Sequence, residues 1–515
     1  MSFFVAILPI LLLFVLMLAL KLPGHLSALI TLIVTVLLAL FASPALGMLP
    51  QGTASVGGVV WWGFVEGVLK AVFPILIIIL MAIYSYNILV ESKEIEVVKS
   101  QFTSFTDDKG VLVLMLVWGF GGLLEDMAGF GTAVAIPAAI LIGLGFKPMF
   151  SALVALIGNT VATGFGAVGV PVTTLCNEVA PGGAASAEAI CETSAFAVLQ
   201  LSPLFVILPF IILMLTDKKA IVKNIVLALW TGVISVVVQY ICARYLGAET
   251  PAIIGSVAAI LAIIAYARLF APKKKTGNEQ HYTLGETLKA WSVYLFILFF
   301  VLVSGPLFPD INQFLKTHLV SRIALPIYPE GTYFTFGWIS NAGLMLFLGT
   351  LIGGLIQGLS LRQLLTVLAR TVVKLRKTVL TIISLIALAS IMNYSGMIMV
   401  IASALATTTG TFYPLFAPLI GAVGTFVTGS DTSANILFAK LQANVASQLN
   451  YADPNWLVAA NTTGATGGKM ISPQSIAIAT AACDMQGKDG EILRSALPYA
   501  VMYIIVGGLM VFFSV

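Results

Sequence analysis

The chain has 515 residues, of which 26 are Lys or Arg and 22 are Asp or Glu, so that 9% are charged, against about 25% in a typical soluble domain. Apolar residues make up 59% of the chain, and the mean hydropathy is +1.04. No water-soluble fold can bury so much apolar surface, which excludes soluble enzymes, nucleic-acid-binding proteins and disordered chains. The sequence predicts a polytopic membrane protein whose main partner is the lipid bilayer.

A helix that spans a bilayer needs about 20 mostly apolar residues. About twelve segments meet this requirement, and they predict an all-α fold. In chain order they are 3–20, 26–42, 72–90, 149–173, 196–215, 221–246, 252–270, 291–304, 338–356, 378–400, 456–482 and 496–514.

The loop charges predict the orientation of these helices. Half of the basic residues lie in the connections 216–224, 268–289 and 361–377, which the positive-inside rule places in the cytoplasm. Alternation of the spans then puts both termini and the long loop 305–337 outside.

Two apolar stretches are interrupted by glycines and acidic residues. The stretch 111–147 contains Glu125 and Asp126 among glycines, and the stretch 413–447 contains Asp431 in a similar setting. Loop charges alternate correctly only if each stretch enters and leaves on one side of the membrane. We therefore predict two re-entrant hairpins, whose broken tips are tolerated where they are buried in protein or line a cavity.

An internal repeat relates the two halves of the chain. The blocks 159–171 and 461–473 both begin with Asn-Thr, have Gly at the eighth position and end in Pro. Each block follows its hairpin aspartate at a similar distance, and the predicted topology makes the two copies run in opposite directions. Small-residue patterns are common in membrane helices, but inverted repeats with discontinuous helices are typical of secondary transporters.

The repeat predicts three regions: a first repeat at 1–215, linking helices with a basic loop at 216–290, and a second repeat at 291–515. Two amphipathic stretches, 58–70 and 360–377, precede corresponding spans. Such helices lie in the membrane interface, as arms that connect two rigid bodies or as ordinary loop helices.

Four sequence blocks resemble the lactate permease family. They are EDMAGFGTAVAIPAAILIGLGFKP (125–148), ALIGNTVATGFGAVGVPV (155–172), GTFVTGSDTSANILFAKLQ (424–442) and AANTTGATGGKMISPQSIAIA (459–479). The resemblance implies import of lactate, glycolate and related 2-hydroxymonocarboxylates with protons across the bacterial cytoplasmic membrane. It also implies the elevator motion of the wider ion-transporter superfamily, with a transport domain, a scaffold domain and a homodimer as candidate assembly.

The substrate-binding candidates lie in the two repeat blocks, which are predicted to be helix breaks. Free backbone N–H groups at such breaks favour anions. The candidates are Asn159, Thr160, Thr163, Asn461, Thr462, Thr463, Lys469 and Ser472. A single lysine, Lys469, suits a monocarboxylate, although it could instead form a structural ion pair with Asp431 or Glu125.

The proton-coupling candidates are Glu125, Asp126 and Asp431. A carboxyl group in a poorly solvated site can bind and release a proton near neutral pH. The two aspartates occupy matching repeat positions and could instead cap the second helices of their hairpins. Glu125 matches Ser430 in the other repeat, and an acid without a counterpart is better suited to proton carriage. Lys440 could reach the surface with its long side chain.

Two alternative functions and the state of two cysteines remain open at this point. Asn, Thr and carbonyl groups at helix breaks are also sodium ligands, which allows a sodium-coupled carboxylate transporter. An intramembrane aspartyl protease could use Asp126 and Asp431, although neither lies in a GxGD motif. The sparse Cys and His residues indicate no metal or other cofactor, and Cys176 and Cys191 could form a disulfide or remain two thiols.

Overall fold

The computed structural model is mostly helical. It describes every residue except 21, 51–54, 104–105, 107, 128–130, 271–281, 305–307, 329–332, 452, 486–487 and 515. The helices of the first half are α1 (Ser2–Phe14), α2 (Gly24–Leu37), α3 (Ser43–Ala45), α4 (Val56–Lys70), α5 (Ile77–Glu91), α6 (Glu94–Thr103), α7 (Lys109–Leu114), α8 (Gly121–Met127), α9 (Thr132–Gly143), α10 (Pro148–Gly158), α11 (Thr160–Thr163), α12 (Gly166–Val179), α13 (Ala187–Leu201), α14 (Leu204–Thr216), α15 (Ile221–Leu246) and α16 (Pro251–Phe270).

The remaining elements are α17 (Leu284–Ser304), α18 (Pro309–Thr317), β1 (Val320–Ile323), β2 (Phe334–Gly337), α19 (Ala342–Ile356), α20 (Leu361–Tyr394), α21 (Met397–Thr409), α22 (Tyr413–Thr428), α23 (Asp431–Gln448), α24 (Pro454–Lys469), α25 (Pro473–Ala482) and α26 (Asp489–Phe513). The wider π-helical turns are Val15–Ala19, Leu38–Ala42, Ala71–Leu76 and Met115–Phe120.

Within the described residues, eight helices are long and apolar enough to cross a membrane, or nine if the bent pair of α13 and α14 forms one span. This supports a multi-pass membrane protein. Some predicted spans are divided into shorter helices: 149–173 is shared by α10, α11 and α12, and 456–482 by α24 and α25. The total of about 12 spanning helices stays a prediction.

The predicted all-α fold holds for most of the described residues, and the exception is a short pair of strands in the loop 305–337. After α18 this loop forms an antiparallel pair of strands, with Val320 opposite Gly337 and Ile323 opposite Phe334. The inward phenyl rings of β2 pack with Trp62 and Phe73, so that apolar contact holds the loop against α4 and the turn that follows it.

The second interrupted stretch folds back on itself between α22 and α23, which pack against each other. Gly429 has φ +72°, which allows the chain to turn. The hydroxyl of Ser430 then accepts a hydrogen bond from the N–H of Ser433 at 3.3 Å and caps α23. The cap is therefore Ser430, and the predicted capping role of Asp431, the first residue of α23, is wrong.

The first interrupted stretch also has two packed arms, formed by α8 with the turn before it and by α9. Asp126 lies inside α8, and the residue before α9 is Gly131 with φ +87°. The predicted capping role of Asp126 is therefore wrong as well. The chain between the two arms, 128–130, lies outside the described residues.

The first repeat block is interrupted at Asn159, between α10 and α11, and again beyond its Asn-Thr pair. Ala167, Val168 and Gly169 have φ values of +47°, +58° and +74°, and a Cβ on Gly169 would lie 2.3 Å from the carbonyl oxygen of Ala248. In the second block α24 continues through Asn461 without interruption. The predicted break at Asn461-Thr462 is therefore wrong, because hydrogen-bond partners on neighbouring helices leave α24 intact, whereas at Asn159-Thr160 one helix ends and the next begins, as predicted.

The two amphipathic stretches belong to long helices that pack together. The stretch 58–70 lies in α4, and 360–377 is continuous with the apolar part of α20. Gly63 and Gly67 bring α4 close to α20, since a Cβ on Gly67 would lie 2.3 Å from the Cα of Ala387. The contact lies on the apolar part of α20, beyond 360–377, so the placement of the two amphipathic stretches in the membrane interface stays a prediction.

This close approach predicts that Gly67→Ala lowers the stability of the detergent-solubilised protein. Overpacking against a backbone costs about 1–3 kcal/mol, which we expect to appear as a lower melting temperature in size-exclusion assays. Gly57→Ala on the same helix is the matched control, because its new Cβ would meet only Ser55 Oγ at 4.0 Å. Equal stability of the two variants would contradict the packing argument.

Candidate functional site

A cavity of about 440 Å³ lies between two groups of helices. One wall comes from α2, α5 and α20, and includes His25, Ile79, Lys377 and Thr381. The other wall comes from α8, α11, α12 and the segments around the α22–α23 turn and α24. Its polar residues include Glu125, Thr163, Ser430, Asp431, Ser433 and Lys469.

An ion pair between Glu125 and Lys469 lies in the cavity wall. Lys469 Nζ donates a hydrogen bond to Glu125 Oε1 at 2.7 Å. The Glu125 side chain is 2% exposed and that of Lys469 is 12% exposed. Lys469 is the last residue of α24, where the helix dipole favours a cation. The other carboxyl oxygen of Glu125 has no hydrogen-bond partner among the described residues.

Asp431 lies in the same wall, at the N-terminus of α23. Neither carboxyl oxygen has a hydrogen-bond partner of normal geometry in the described part of the chain, although Lys469, Glu125 and Thr425 are close enough to act on its charge. An 18-residue helix that begins at the cavity directs its free N–H groups and positive dipole end towards it. With Lys469, this makes the wall suitable for a small anion.

Asp126 does not line this cavity. Its side chain is 0% exposed, both of its carboxyl oxygens are unpartnered within the described residues, and the charges that act on it are those of Glu125 and Glu249. Asp126 and Asp431 therefore do not face one common space. This arrangement argues against the two-aspartate chemistry of an intramembrane protease.

Most of the predicted Asn-Thr residues form a buried polar network behind the wall. Asn461 Nδ2 donates to Asn435 Oδ1 at 2.9 Å, and Gln442 Nε2 donates to Asn461 Oδ1 at 3.2 Å. Thr462 Oγ1 accepts a hydrogen bond from Asn435 at 2.6 Å, and Thr463 donates to Gln200. These side chains join α23, α24 and α13, and they do not line the cavity.

The other predicted binding residues also fall into two groups, those that line the cavity and those that do not. Thr163 lines the cavity and donates to the carbonyl of Asn159 at 2.5 Å. Thr160 donates to the carbonyl of Ile157, and Ser472 accepts from the N–H of Ser475 to cap α25. Of these four predicted residues, Thr163 is the one that faces the cavity.

Sequence reasoning missed the hydroxyl groups at the α22–α23 turn. Ser430, Thr432 and Ser433 line the cavity beside Asp431. The run GSDTSAN contains a capping serine followed by hydroxyl side chains, which is the signal that could have identified a helix N-terminus there.

The two candidate disulfide partners, Cys176 and Cys191, are free and buried on α12 and α13. Cys242 and Cys483 are also free and buried. We therefore expect a membrane-impermeant maleimide to label the native chain weakly, with no increase after reduction. Strong labelling that appears only after reduction would contradict this result.

A family model described as L-lactate permease matches residues 2–515. The chain belongs to the L-lactate permease family. This confirms the resemblance drawn from the four blocks, and membership of a permease family indicates a transporter rather than an enzyme.

Curated relatives of this family member cover most of its length. An L-lactate permease of Streptococcus iniae is 40% identical over 401 residues, which are 76% of this chain and 82% of the relative. The glycolate permease GlcA of Escherichia coli K12 is 34% identical and covers 99% of this chain and 95% of its own. An L-lactate permease of the same strain is 32% identical with the same coverage.

Two solved structures share the fold of this family member at 13% identity. The YdaH transporter of Alcanivorax borkumensis has a TM-score of 0.54 and covers 94% of this chain and 98% of its own. MtrF of Neisseria gonorrhoeae has a TM-score of 0.51 and covers 94% of both chains.

Proposed function

We propose that the protein is a secondary transporter that imports lactate or glycolate together with protons across the bacterial cytoplasmic membrane. The observation that carries the proposal is the Glu125–Lys469 pair in the wall of the cavity. It places one cation, already paired with one exchangeable carboxylate, beside the N-terminus of α23. The names of the L-lactate and glycolate permease relatives support these substrates.

In the proposed binding step the carboxylate of the substrate replaces Glu125 at Lys469. Free N–H groups at the start of α23 supply further donors to the anion. The hydroxyl groups of Thr163 and Ser433 lie in the same wall and can hydrogen-bond the 2-hydroxyl group of the substrate. A single lysine in this wall suits one carboxylate, which favours a monocarboxylate.

Proton coupling follows from the same exchange of partners. When the substrate takes Lys469, Glu125 loses its counter-ion, and a buried ionised carboxylate without a partner is costly. Uptake of one proton by Glu125 removes that charge. In the empty carrier Lys469 is paired with ionised Glu125, and in the loaded carrier it is paired with the carboxylate of the substrate. The net charge of the pair is zero in both states, so the empty and the loaded carrier can both change orientation.

The direction of opening rests on the predicted topology. Lys377 and His25 lie on the cavity wall, at ends of spans that the loop charges place on the cytoplasmic side. We propose that the structure represents an inward-open carrier with both termini outside. The inverted repeat, the three regions 1–215, 216–290 and 291–515, the elevator motion and the homodimer remain predictions within this proposal.

Uptake of labelled lactate and glycolate into proteoliposomes tests the proposal. We expect accumulation under an imposed pH gradient, and none under a sodium gradient alone at equal pH. Empty liposomes and an acetate competitor are the controls. Uptake that responds only to sodium would support the sodium-coupled alternative and contradict the role given to Glu125.

A further inference from the structure

A second group of buried charges lies at the same interface as the cavity. Lys70 Nζ is 3.1 Å from Glu66 Oε1 and 3.7 Å from Glu178 Oε2, and Lys440 Nζ is 3.6 Å from Glu178 Oε2. The side chains of Glu66, Lys70 and Glu178 are at most 4% exposed, and that of Lys440 is 14% exposed. Lys440, whose side chain is half-buried, therefore pairs with Glu178 and does not extend to the surface, which was the alternative that the sequence left open.

The hydroxyl group of Tyr394 completes this network, which we name the charge latch (Glu66, Lys70, Glu178, Tyr394 and Lys440). The hydroxyl of Tyr394 donates to Glu66 Oε1 at 3.1 Å, and Lys440 Nζ lies 5.6 Å from the centre of the Tyr394 ring. Tyr328, from the loop before β2, also donates to Glu66 at 3.1 Å. Two acids balance two lysines, so that the buried latch is neutral as a whole.

The latch joins the two groups of helices that form the cavity walls. Glu66 and Lys70 lie on α4 and Tyr394 on α20, whereas Glu178 lies on α12 and Lys440 on α23. Two contacts cross from one group to the other: the pair Lys70–Glu178 and the cation–π contact of Lys440 with Tyr394. The pair Glu66–Lys70 lies within one helix and does not cross.

The charge latch and the cavity lie at different positions along the same helices. On α12 the cavity ends at Pro171, on α23 at Ser433 and on α20 at Ile382. Glu178, Lys440 and Tyr394 are about two to three helical turns further along these helices in chain order. The interface is therefore open at the cavity, and at the level of the latch it is crossed by ionic contacts together with the packing of α20 against α23.

The energetics of buried ion pairs suit a reversible closure. Desolvation offsets most of the attraction between buried charges, so such pairs contribute little net stability. When water enters the interface, the separated charges regain their hydration, and the closure can open without a prohibitive cost. An apolar contact of similar size would favour the closed state regardless of hydration.

We infer that the charge latch is the outer gate of the carrier and that its cross-group contacts must break before the cavity can open to the other side. This inference rests on the proposed transport function. Loss of a cross-group contact shifts the population towards the outward-open state, whereas loss of a contact within one group does not.

The test uses Gln474→Cys, which places a thiol on the cavity wall, in a chain whose four native cysteines are buried. A membrane-impermeant maleimide is applied to right-side-out and inside-out vesicles without substrate. We expect the parent to react quickly from the face of the cavity mouth and slowly from the opposite face. Glu178→Gln should raise the slow rate about tenfold or more, which corresponds to about 1.4 kcal/mol.

Tyr394 provides a second variant with a matched control, should Glu178→Gln fail to reach the membrane. Tyr394→Leu removes the ring that Lys440 contacts and should also raise the slow labelling rate. Tyr394→Phe keeps the ring and removes only the hydrogen bond to Glu66, so its rate should equal that of the parent. Lys223→Gln, which breaks the ion pair with Asp108 away from the latch, controls for loss of a charge.

Unchanged labelling from the slow face in folded Glu178→Gln or in folded Tyr394→Leu would overturn the inference. An equal increase of the slow labelling rate in Tyr394→Leu and in Tyr394→Phe would also overturn the inference. Because labelling requires no substrate, failure of the gate is distinguishable from failure of the proposed function, which the uptake of lactate by the parent decides separately.

Discussion

Lys469→Gln is expected to raise the apparent KM for lactate by roughly 10- to 150-fold, since a hydrogen bond to a charged group contributes about 1.5–3 kcal/mol. The substitution removes the one lysine on the α24 side of the cavity wall and also deprives Glu125 of its partner. Initial uptake rates at several lactate concentrations in proteoliposomes measure the effect.

Loss of folded protein is the competing explanation, because an unpaired buried charge is destabilising by about 3–5 kcal/mol. The double variant Lys469→Gln, Glu125→Gln removes both charges and should recover the yield of folded protein without recovering lactate affinity. Lys289→Gln breaks a more exposed pair with Glu94, at 2.9 Å, away from the cavity, and should leave KM unchanged. Parental affinity in Lys469→Gln would place the substrate elsewhere.

Glu125→Gln is expected to abolish accumulation of lactate driven by a pH gradient while preserving exchange of external for internal lactate. Gln retains the shape of Glu and an oxygen that can accept from Lys469, but it cannot take up a proton. The loaded carrier can therefore still reorient, whereas net uptake loses its coupling. Accumulation and counterflow of labelled lactate, measured on the same proteoliposomes, separate the two modes.

Asp431→Asn is the informative comparison for Glu125→Gln, because Asp431 lies in the same wall beside Lys469. We expect Asp431→Asn to retain a response to the pH gradient. Glu94→Gln controls for loss of an acid outside the cavity. Accumulation by Glu125→Gln at the parental rate, together with its loss in Asp431→Asn, would move the proton site to Asp431.

The predictions from sequence were most accurate where a local property, such as composition or a charge in an apolar stretch, has a single physical interpretation. Low charge and high hydropathy require a membrane protein, because water cannot solvate so much apolar surface. Acidic residues and lysines inside apolar stretches mark sites that need partners. This reasoning identified Glu125, Thr163, Asp431 and Lys469, which the structure brings together around the cavity, and it named Glu125 as a partner of Lys469.

The positions of the helix breaks depended on contacts that the sequence does not encode locally. An Asn-Thr pair looks like a helix break when it is considered alone. In the fold, Asn461 and Thr462 find partners on α23, so α24 continues. The first block is interrupted at Asn159 and again at Ala167–Gly169, where the backbone passes Ala248. A polar group in a membrane helix interrupts it only if no neighbour satisfies it.

The sequence by itself determined the membrane class, the family and the group of charged residues from which a site had to be built, because these depend on composition and on motifs. Only the tertiary structure decided which charges meet. Glu66 and Glu178 are separated by more than a hundred residues, and Lys440 comes from the other half of the chain, yet packing of α4, α12, α20 and α23 brings them into one network. Long-range pairing of this kind depends on how helices pack, and local sequence patterns contain no record of it.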